Sequence, residues 1–222
     1  MRFTIIKCFF LSISLFSCSA LLSQEGGFGN WIMYFGQNRI HDRWSVHTEI
    51  QYRNHDLLPN IEQLLVRTGL YYHLDGNTTL LAGYAYVPSY RLEDSFTDPV
   101  TTEHRIFQEL QLNNKVGKIA FNHRYRIEER WVSQKTLVRF RYRLLAVIPL
   151  SNKTKDAPFL AFYDEVFLAP GARVFDRNRA YGALGYKFSS TASAQLGILN
   201  QQLPDRHKWY LQIGLFYNPD LR

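Results

Sequence analysis

Cysteine is nearly missing from this chain of 222 residues, which contains only Cys8 and Cys18. Both lie in the first 23 residues, which we interpret as a removable leader, so the remaining chain has no thiol. This excludes disulfide bonds, thiol catalysis and thiolate metal sites from the rest of the sequence. A thiol-free chain also suits an oxidising compartment, where a stray cysteine would form unwanted bridges during folding.

Long apolar runs are also missing, because beyond the leader no stretch reaches the roughly 18 apolar residues of a membrane-spanning helix. The leader itself begins with Arg2 and Lys7 and continues as an apolar run, broken by serines, from Cys8 to about Leu22. This pattern is typical of a secretory signal peptide. The sequence therefore predicts a signal peptide at residues 1–23 and a single domain at 24–222.

The informative feature of that domain is an alternation of side chains. In residues 137–148, Arg139, Arg141 and Arg143 fall on one side of a strand, whereas Val138 and Phe140 begin an apolar row on the other. Similar segments recur along the chain, and we expect strands at about 30–38, 44–54, 62–74, 79–90, 103–113, 118–131, 137–149, 158–168, 179–189, 192–202 and 206–217. Most have about 10–13 residues, and a tilted strand crossing a bilayer needs about 9–11. The sequence therefore predicts an all-β fold, an antiparallel transmembrane β-barrel.

The expected number of wall strands depends on a parity argument. The pattern contains eleven segments, but single-chain bacterial outer-membrane barrels close with an even number of strands. We therefore expect ten wall strands starting near residue 44, with 30–38 outside the ring or in the lumen, and twelve strands as the runner-up. Connections alternate between shorter and longer, which places the shorter ones, and the end of the last strand, on the periplasmic side.

The arginines are expected to face a polar lumen, because each would cost about 2–4 kcal/mol against lipid at the bilayer midplane. Neighbouring arginines repel one another, so they require carboxylates that also lie on the inward faces of the strands. The predicted lumen charge network consists of Glu49, Arg53, Arg67, Glu103, Arg105, Glu109, Arg124, Arg126, Glu128, Arg130, Arg139, Arg141, Arg143, Glu165 and Arg179. Such a crowded interior predicts a structural, binding or narrow-channel role and no large pore.

Several spaced motifs together resemble a known family. They are Trp31, Glu49-x-Gln-x-Arg53, Arg67-x-Gly69, Gly83-Tyr84, Glu103-x-Arg105-x-x-Gln108, His123-Arg124-x-Arg126-x-Glu128-x-Arg130, Arg139-x-Arg141-Tyr142-Arg143, Asp164-Glu165 and Asn178-Arg179. Their order along essentially the whole mature chain is similar to the outer-membrane barrel family catalogued as domain of unknown function 2490. The resemblance implies a barrel in the outer membrane of a Gram-negative bacterium. It supplies no activity, ligand or catalytic residue.

Two other functions remain open at this point. An outer-membrane lipid or peptide hydrolase is suggested by Ser45, His47 and Glu49, which share one strand face. Neighbours two residues apart are about 6.5 Å apart along a strand, so we expect that they cannot pair without cross-strand help. The other alternative is a secreted soluble barrel that binds a small ligand, with its apolar faces turned inward.

No cofactor or metal site is predicted. The seven histidines have no ligand spacing, and a loop with Glu93, Asp94 and Asp98 is better explained by solvation than by calcium binding. Removing Arg2 and Lys7 lowers the formal charge from +7 to +5. Nucleic acid is not an expected partner, since many arginines share strands with lipid-type residues. The expected partners are outer-membrane lipids and the barrel-assembly machinery, and the oligomeric state is left open.

Overall fold

The computed structural model describes residues 28–57, 60–91, 98–153, 155–171 and 173–222. The expected signal peptide lies outside these residues. The described chain forms eleven strands, β1 Gly29–Arg39, β2 Trp44–Asn54, β3 Ile61–His73, β4 Thr78–Ser89, β5 Thr101–Val116, β6 Ile119–Val132, β7 Lys135–Pro149, β8 Ala157–Leu168, β9 Phe175–Lys187, β10 Ala192–Gln202 and β11 His207–Tyr217. No helix in this part of the chain is long and apolar enough to cross a bilayer.

The strands form one closed barrel in which each strand pairs with its neighbours in sequence. Every consecutive pair is antiparallel, as expected for strands joined by hairpins. The ring closes where β1 pairs with β11 in parallel, from Gly29 opposite Tyr210 to Gly36 opposite Tyr217. We call this parallel β1–β11 pair the seam.

The expectation of ten wall strands was wrong, and so was the placement of residues 30–38 outside the ring. Strand β1 is part of the wall, since Trp31 pairs with Arg53 on one side and with Gln212 on the other. Each hairpin reverses the chain direction, so an eleventh strand runs in the same direction as the first. An odd number can therefore close if the first and last strands accept a parallel ladder.

The strand boundaries agree closely with the alternation in the sequence. The segments 44–54 and 192–202 match residue for residue. The largest differences are in β5, which extends to residues 101–116, and in β9, which begins at Phe175. A register shift between Phe167 and Leu168 accommodates the early start of β9, because a bulge disturbs the strict alternation that the prediction used.

The two faces of the wall have opposite chemistry. Large apolar side chains such as Ile50, Phe140 and Leu196 are exposed on the outside, whereas charged side chains are buried inside. A few polar residues also face outward, and Asp164 accepts hydrogen bonds of 3.0 and 3.1 Å from Asn178 Nδ2. The facing expected for a soluble barrel, with arginines outside, is therefore not the one observed.

The barrel has two rims. The turn rim contains the described parts of the connections 40–43, 74–77, 117–118, 150–156 and 188–191, and the loop rim contains those of 55–60, 90–100, 133–134, 169–174 and 203–206. At the turn rim, residues 218–222 continue beside the end of β1. Arg39 donates its backbone N–H to Pro219 O at 2.9 Å, and Leu221 N donates to Arg39 O at 2.8 Å. Arg222 also pairs with Asp42 at 2.6 Å, which ties this segment to the first turn.

Candidate functional site

The candidate site is the interior of the barrel, where alternate residues of the strands converge. All fifteen residues of the expected charge network lie on inner faces. Fourteen of them line a cavity of about 370 Å³, and the fifteenth, Glu128, is fully buried behind them. We call these fifteen residues the arginine–glutamate network. Their common placement follows from strand parity, since each of the seven strands that contribute them exposes one set of alternate residues to the interior.

Glu128 is the most connected carboxylate of the network. It accepts hydrogen bonds from Arg126 Nη1 at 3.2 Å, Arg139 Nε at 2.9 Å and Arg141 Nη1 at 2.6 Å. Because β6 and β7 are paired, Glu128 lies directly opposite Arg139. None of its surface is exposed, so these guanidinium groups replace the hydration that its charge requires.

Glu165 on β8 forms a second junction of the network. Arg124 Nη2 donates to its Oε1 at 2.6 Å, and Arg141 donates to the same oxygen through Nε at 3.0 Å and Nη2 at 2.7 Å. Arg141 therefore links Glu165 with Glu128 across neighbouring strands. A side chain shared by two carboxylates couples the strands that hold them.

The remaining acids each bind a nearby arginine. Glu49 pairs with Arg67 at 2.7 Å across β2 and β3. Glu103 receives a two-pronged contact from Arg105, with distances of 2.7 and 2.9 Å, and it also pairs with Arg130. Glu109 pairs with Arg126. These ion pairs bridge β2 to β3 and β5 to β6, so the network braces much of the wall from inside.

Positive charge nevertheless exceeds negative charge in the lumen. Eleven arginines line the cavity, against four glutamates on its surface and Glu128 behind it. Among the described residues, Arg53, Arg143 and Arg179 have no carboxylate within ion-pair distance. They donate instead to amide oxygens, including Gln63 at 2.7 Å, Asn122 at 3.1 Å and Gln201 at 2.8 Å.

Aromatic rings outside the predicted charge network support several of these guanidinium groups. Phe107 lies under Arg67 and Arg126, at 5.2 and 4.8 Å from the ring centroid, and Phe167 lies 4.3 Å from Arg141. Cation–π contacts of this kind stabilise a charge where water is excluded. Inward parity could have identified both rings, since they alternate with outward residues on β5 and β8. Arg177, which also lines the cavity and pairs with Asp176, was missed as well.

The proposed hydrolase residues have a different arrangement from the one expected. His47 Nε2 and Glu49 Oε2 lie 3.0 Å apart, so the expectation that neighbours two residues apart cannot pair was wrong. The Glu49 side chain is long enough to lean along the strand and span the gap. The Ser45 hydroxyl is not hydrogen-bonded to His47, and its oxygen lies 2.8 Å from Nε2 of His73.

This serine–histidine contact lacks the features of an active nucleophile. Ser45 is fully buried, and Nδ1 of His73 faces the hydroxyl of Thr79 at 3.3 Å rather than a carboxylate. A nucleophile needs access to substrate and a base that is oriented by a third group. Within the described ranges no group of three or more histidine, cysteine, aspartate or glutamate residues could hold a metal ion. Glu93 and Asp94 lie outside those ranges.

Comparison with known proteins identifies the family. The family model described as "Protein of unknown function (DUF2490)" matches residues 28–212, which include the residues of the network. This chain belongs to the DUF2490 family. An uncharacterised protein of Methylorubrum extorquens is similar to this DUF2490 chain, with 30% identity over 164 residues that cover 69% of each protein. No solved structure matches the chain.

Proposed function

We propose that this DUF2490 protein is an outer-membrane β-barrel that binds small anions in a closed lumen. The outward apolar face supports the membrane location. The strands are 11–16 residues long, which is enough to cross a bilayer at a tilt. Aromatic residues stand near the ends of the outer wall, at Trp44, Trp131 and Tyr217, where lipid headgroups would lie. The leader-like first 23 residues support export from the cytoplasm.

The excess of arginine inside the barrel is the observation on which the proposed role rests. A closed ring of ion pairs needs roughly equal numbers of each charge, whereas eleven arginines meet five glutamates and Asp176 here. Uncompensated buried cations are costly unless an anion accompanies them. The lumen is therefore suited to hold small anions, and its crowded side chains leave no wide aqueous path.

Two proposed partners follow from this location. Lipids of the outer membrane would cover the apolar wall, and the barrel-assembly machinery would insert it. The backbone ladder continues around the ring through the seam, which supports the membrane location because unpaired backbone groups are costly in a bilayer.

Membrane location is tested by washing isolated cell envelopes with urea and carbonate. The protein should remain with the outer-membrane fraction, as an integral barrel does. Release of the folded protein into the wash would contradict the proposed location.

The closed lumen is tested by recording purified protein in planar lipid bilayers. We expect no conductance, or small intermittent steps that favour anions, since rows of guanidinium groups attract them. A large, steady conductance of the kind that porins show would overturn the proposal. Glu129→Gln is a suitable control variant, because Glu129 is exposed on the outer face and its loss should leave the recordings unchanged.

A further inference from the structure

Four side chains that carry hydrogen-bond donors converge on the inner wall at the seam. Trp31 on β1 lies opposite Arg53 on β2 and opposite Gln212 on β11. Arg179 on β9 approaches the same indole ring from across β10 and β11. All four side chains line the cavity and are at least nine-tenths buried. We call Trp31, Arg53, Arg179 and Gln212 the seam pocket.

Two positive charges share this pocket without a carboxylate of their own. The guanidinium carbon of Arg53 lies 4.0 Å from the centroid of the Trp31 ring, and that of Arg179 lies 4.9 Å from it. Both groups donate to glutamine oxygens, which satisfy hydrogen bonds but carry no charge. Two buried cations at one aromatic ring repel each other, and an anion between them would remove that repulsion.

Two further donors in the pocket have no acceptor within the described protein. These are Nε1 of Trp31 and Nε2 of Gln212. Buried polar atoms are normally hydrogen-bonded, so two orphans on adjacent inward positions indicate a missing acceptor. The stacked guanidinium groups do not block Nε1, because an indole N–H points outward in the plane of the ring and they lie over its face.

One side of the pocket is apolar. Trp31 packs in a cluster of buried residues with Met33, Tyr181, Ala183, Leu199 and Tyr210. Met33 and Tyr181 also line the cavity. A simple inorganic ion would leave this surface unused, whereas a ring or short hydrocarbon would cover it. A planar carboxylate matches the fork of a guanidinium group.

We propose that the seam pocket binds the carboxylate of a small aromatic acid, with the ring of the acid packed against the Trp31 cluster. The carboxylate accepts hydrogen bonds from Arg53, Arg179 and the two orphan donors. This site deepens the proposed anion-binding role and rests on it.

The site is tested by titrating sodium benzoate into the purified full chain, folded in detergent micelles, and measuring the heat of binding. Benzyl alcohol keeps the ring without the charge, acetate keeps the charge without the ring, and inorganic phosphate is a compact anion. We expect saturable binding of benzoate, binding of acetate and phosphate about tenfold or more weaker, and no binding of benzyl alcohol.

Three variants locate the binding. Arg179→Gln removes one charge and should weaken benzoate binding about tenfold or more, since hydrogen bonds to charged groups are the strong ones. Gln212→Leu removes an orphan donor at nearly constant volume, so it should fold normally and bind benzoate about fivefold more weakly. Arg173→Gln is the matched control, because Arg173 pairs with Asp205 on the exposed loop rim, and its affinity should equal that of the wild type.

Absence of saturable benzoate binding to folded wild-type protein would overturn the site. Equal affinities of the wild type, Arg179→Gln and Gln212→Leu would overturn it too, as would phosphate binding more tightly than benzoate. If Arg179→Gln does not fold, Gln212→Leu decides the question alone. None of these measurements depends on conductance or membrane fractionation, so failure of the site is distinguishable from failure of the proposed function.

Discussion

Replacing Glu128 with glutamine tests directly whether the arginine–glutamate network holds the barrel together. The side chain keeps its shape and one acceptor oxygen, but the negative charge is lost. As a charged partner Arg139 would then have only Asp176, at 3.3 Å, whereas Arg141 would keep Glu165. Removing one partner of a buried ion pair usually destabilises a protein by about 3–5 kcal/mol. Because some hydrogen bonds remain, we expect Glu128→Gln to lower the unfolding free energy by about 3 kcal/mol, near the lower end of this range.

The measurement is urea unfolding in detergent micelles, followed by the loss of β circular dichroism and by gel mobility of unheated samples. Glu129→Gln is the matched control, since it makes the same chemical change one residue away on the exposed outer face. We expect the control to change stability by less than about 0.5 kcal/mol. Similar losses for both variants would refute the argument that Glu128 is a junction of the network.

A double-mutant cycle separates the ion pair from general disruption. Glu128→Gln and Arg139→Gln remove opposite ends of a contact with Arg139 Nε 2.9 Å from Glu128 Oε2. Residues in direct contact show coupling energies of about 0.5–3 kcal/mol. The double variant should therefore be less destabilised than the sum of the two single variants. Additive losses would mean that the two side chains act independently.

Three further perturbations test other parts of the structure. Gly83→Ala should lower the unfolding free energy by about 1–3 kcal/mol, because an added Cβ would approach Phe107 Cζ to 2.5 Å, whereas Gly76→Ala meets no atom within 4 Å and should be neutral in the same urea titration. In the proposed outer-membrane barrel, Phe162→Arg would put a charge against lipid, so it should lower the unfolding free energy in lipid vesicles by about 2–4 kcal/mol, whereas Leu150→Arg, just beyond β7, should be tolerated; equal unfolding free energies of the two variants would contradict the assigned facing. Hydrogen bonds from Arg222 lower the pKa of Asp220 to about 2, so the Asp220–Arg222 contact within residues 218–222 should be complete above about pH 4 and be lost as the pH falls towards 2; a carboxylate NMR resonance of Asp220 that titrates near pH 4 would contradict it.

Much of the wall could be predicted from the sequence, because strand alternation is a local property. The guanidinium row of β7 identified the interior face, and the cost of charge against lipid supplied the physical reason. The position of β1 could not be predicted in this way. Its alternation indicated a strand, but its partners lie on β2 and on the distant β11. Bacterial outer-membrane barrels usually close with an even number of antiparallel strands, which favoured ten strands. A ring that closes through a parallel pair does not follow that rule.

It was harder to predict which side chains pair inside the lumen than to predict which side chains face it. The alternation predicted that Glu49 and Arg67 lie on inner faces. It could not predict that they lie opposite each other, because register depends on turn geometry and bulges. The seam pocket was missed for a related reason. Trp31 and Gln212 are neither charged nor close in sequence, so no local pattern joined them. Only closure of the ring brings the two side chains together.

The parallel seam also has a consequence for the order in which the barrel assembles. Ten of the eleven strand contacts are hairpins between segments that follow each other along the chain, so each can form as soon as its two strands are present. The seam is different, since it joins β1 to β11, and just beyond its end Gln37 N donates to Asn218 Oδ1 across 181 residues of chain. Closing such a long loop is entropically expensive until the intervening strands have brought its ends near. Ring closure therefore has to follow the growth of the sheet, and the seam pocket exists only in the finished ring.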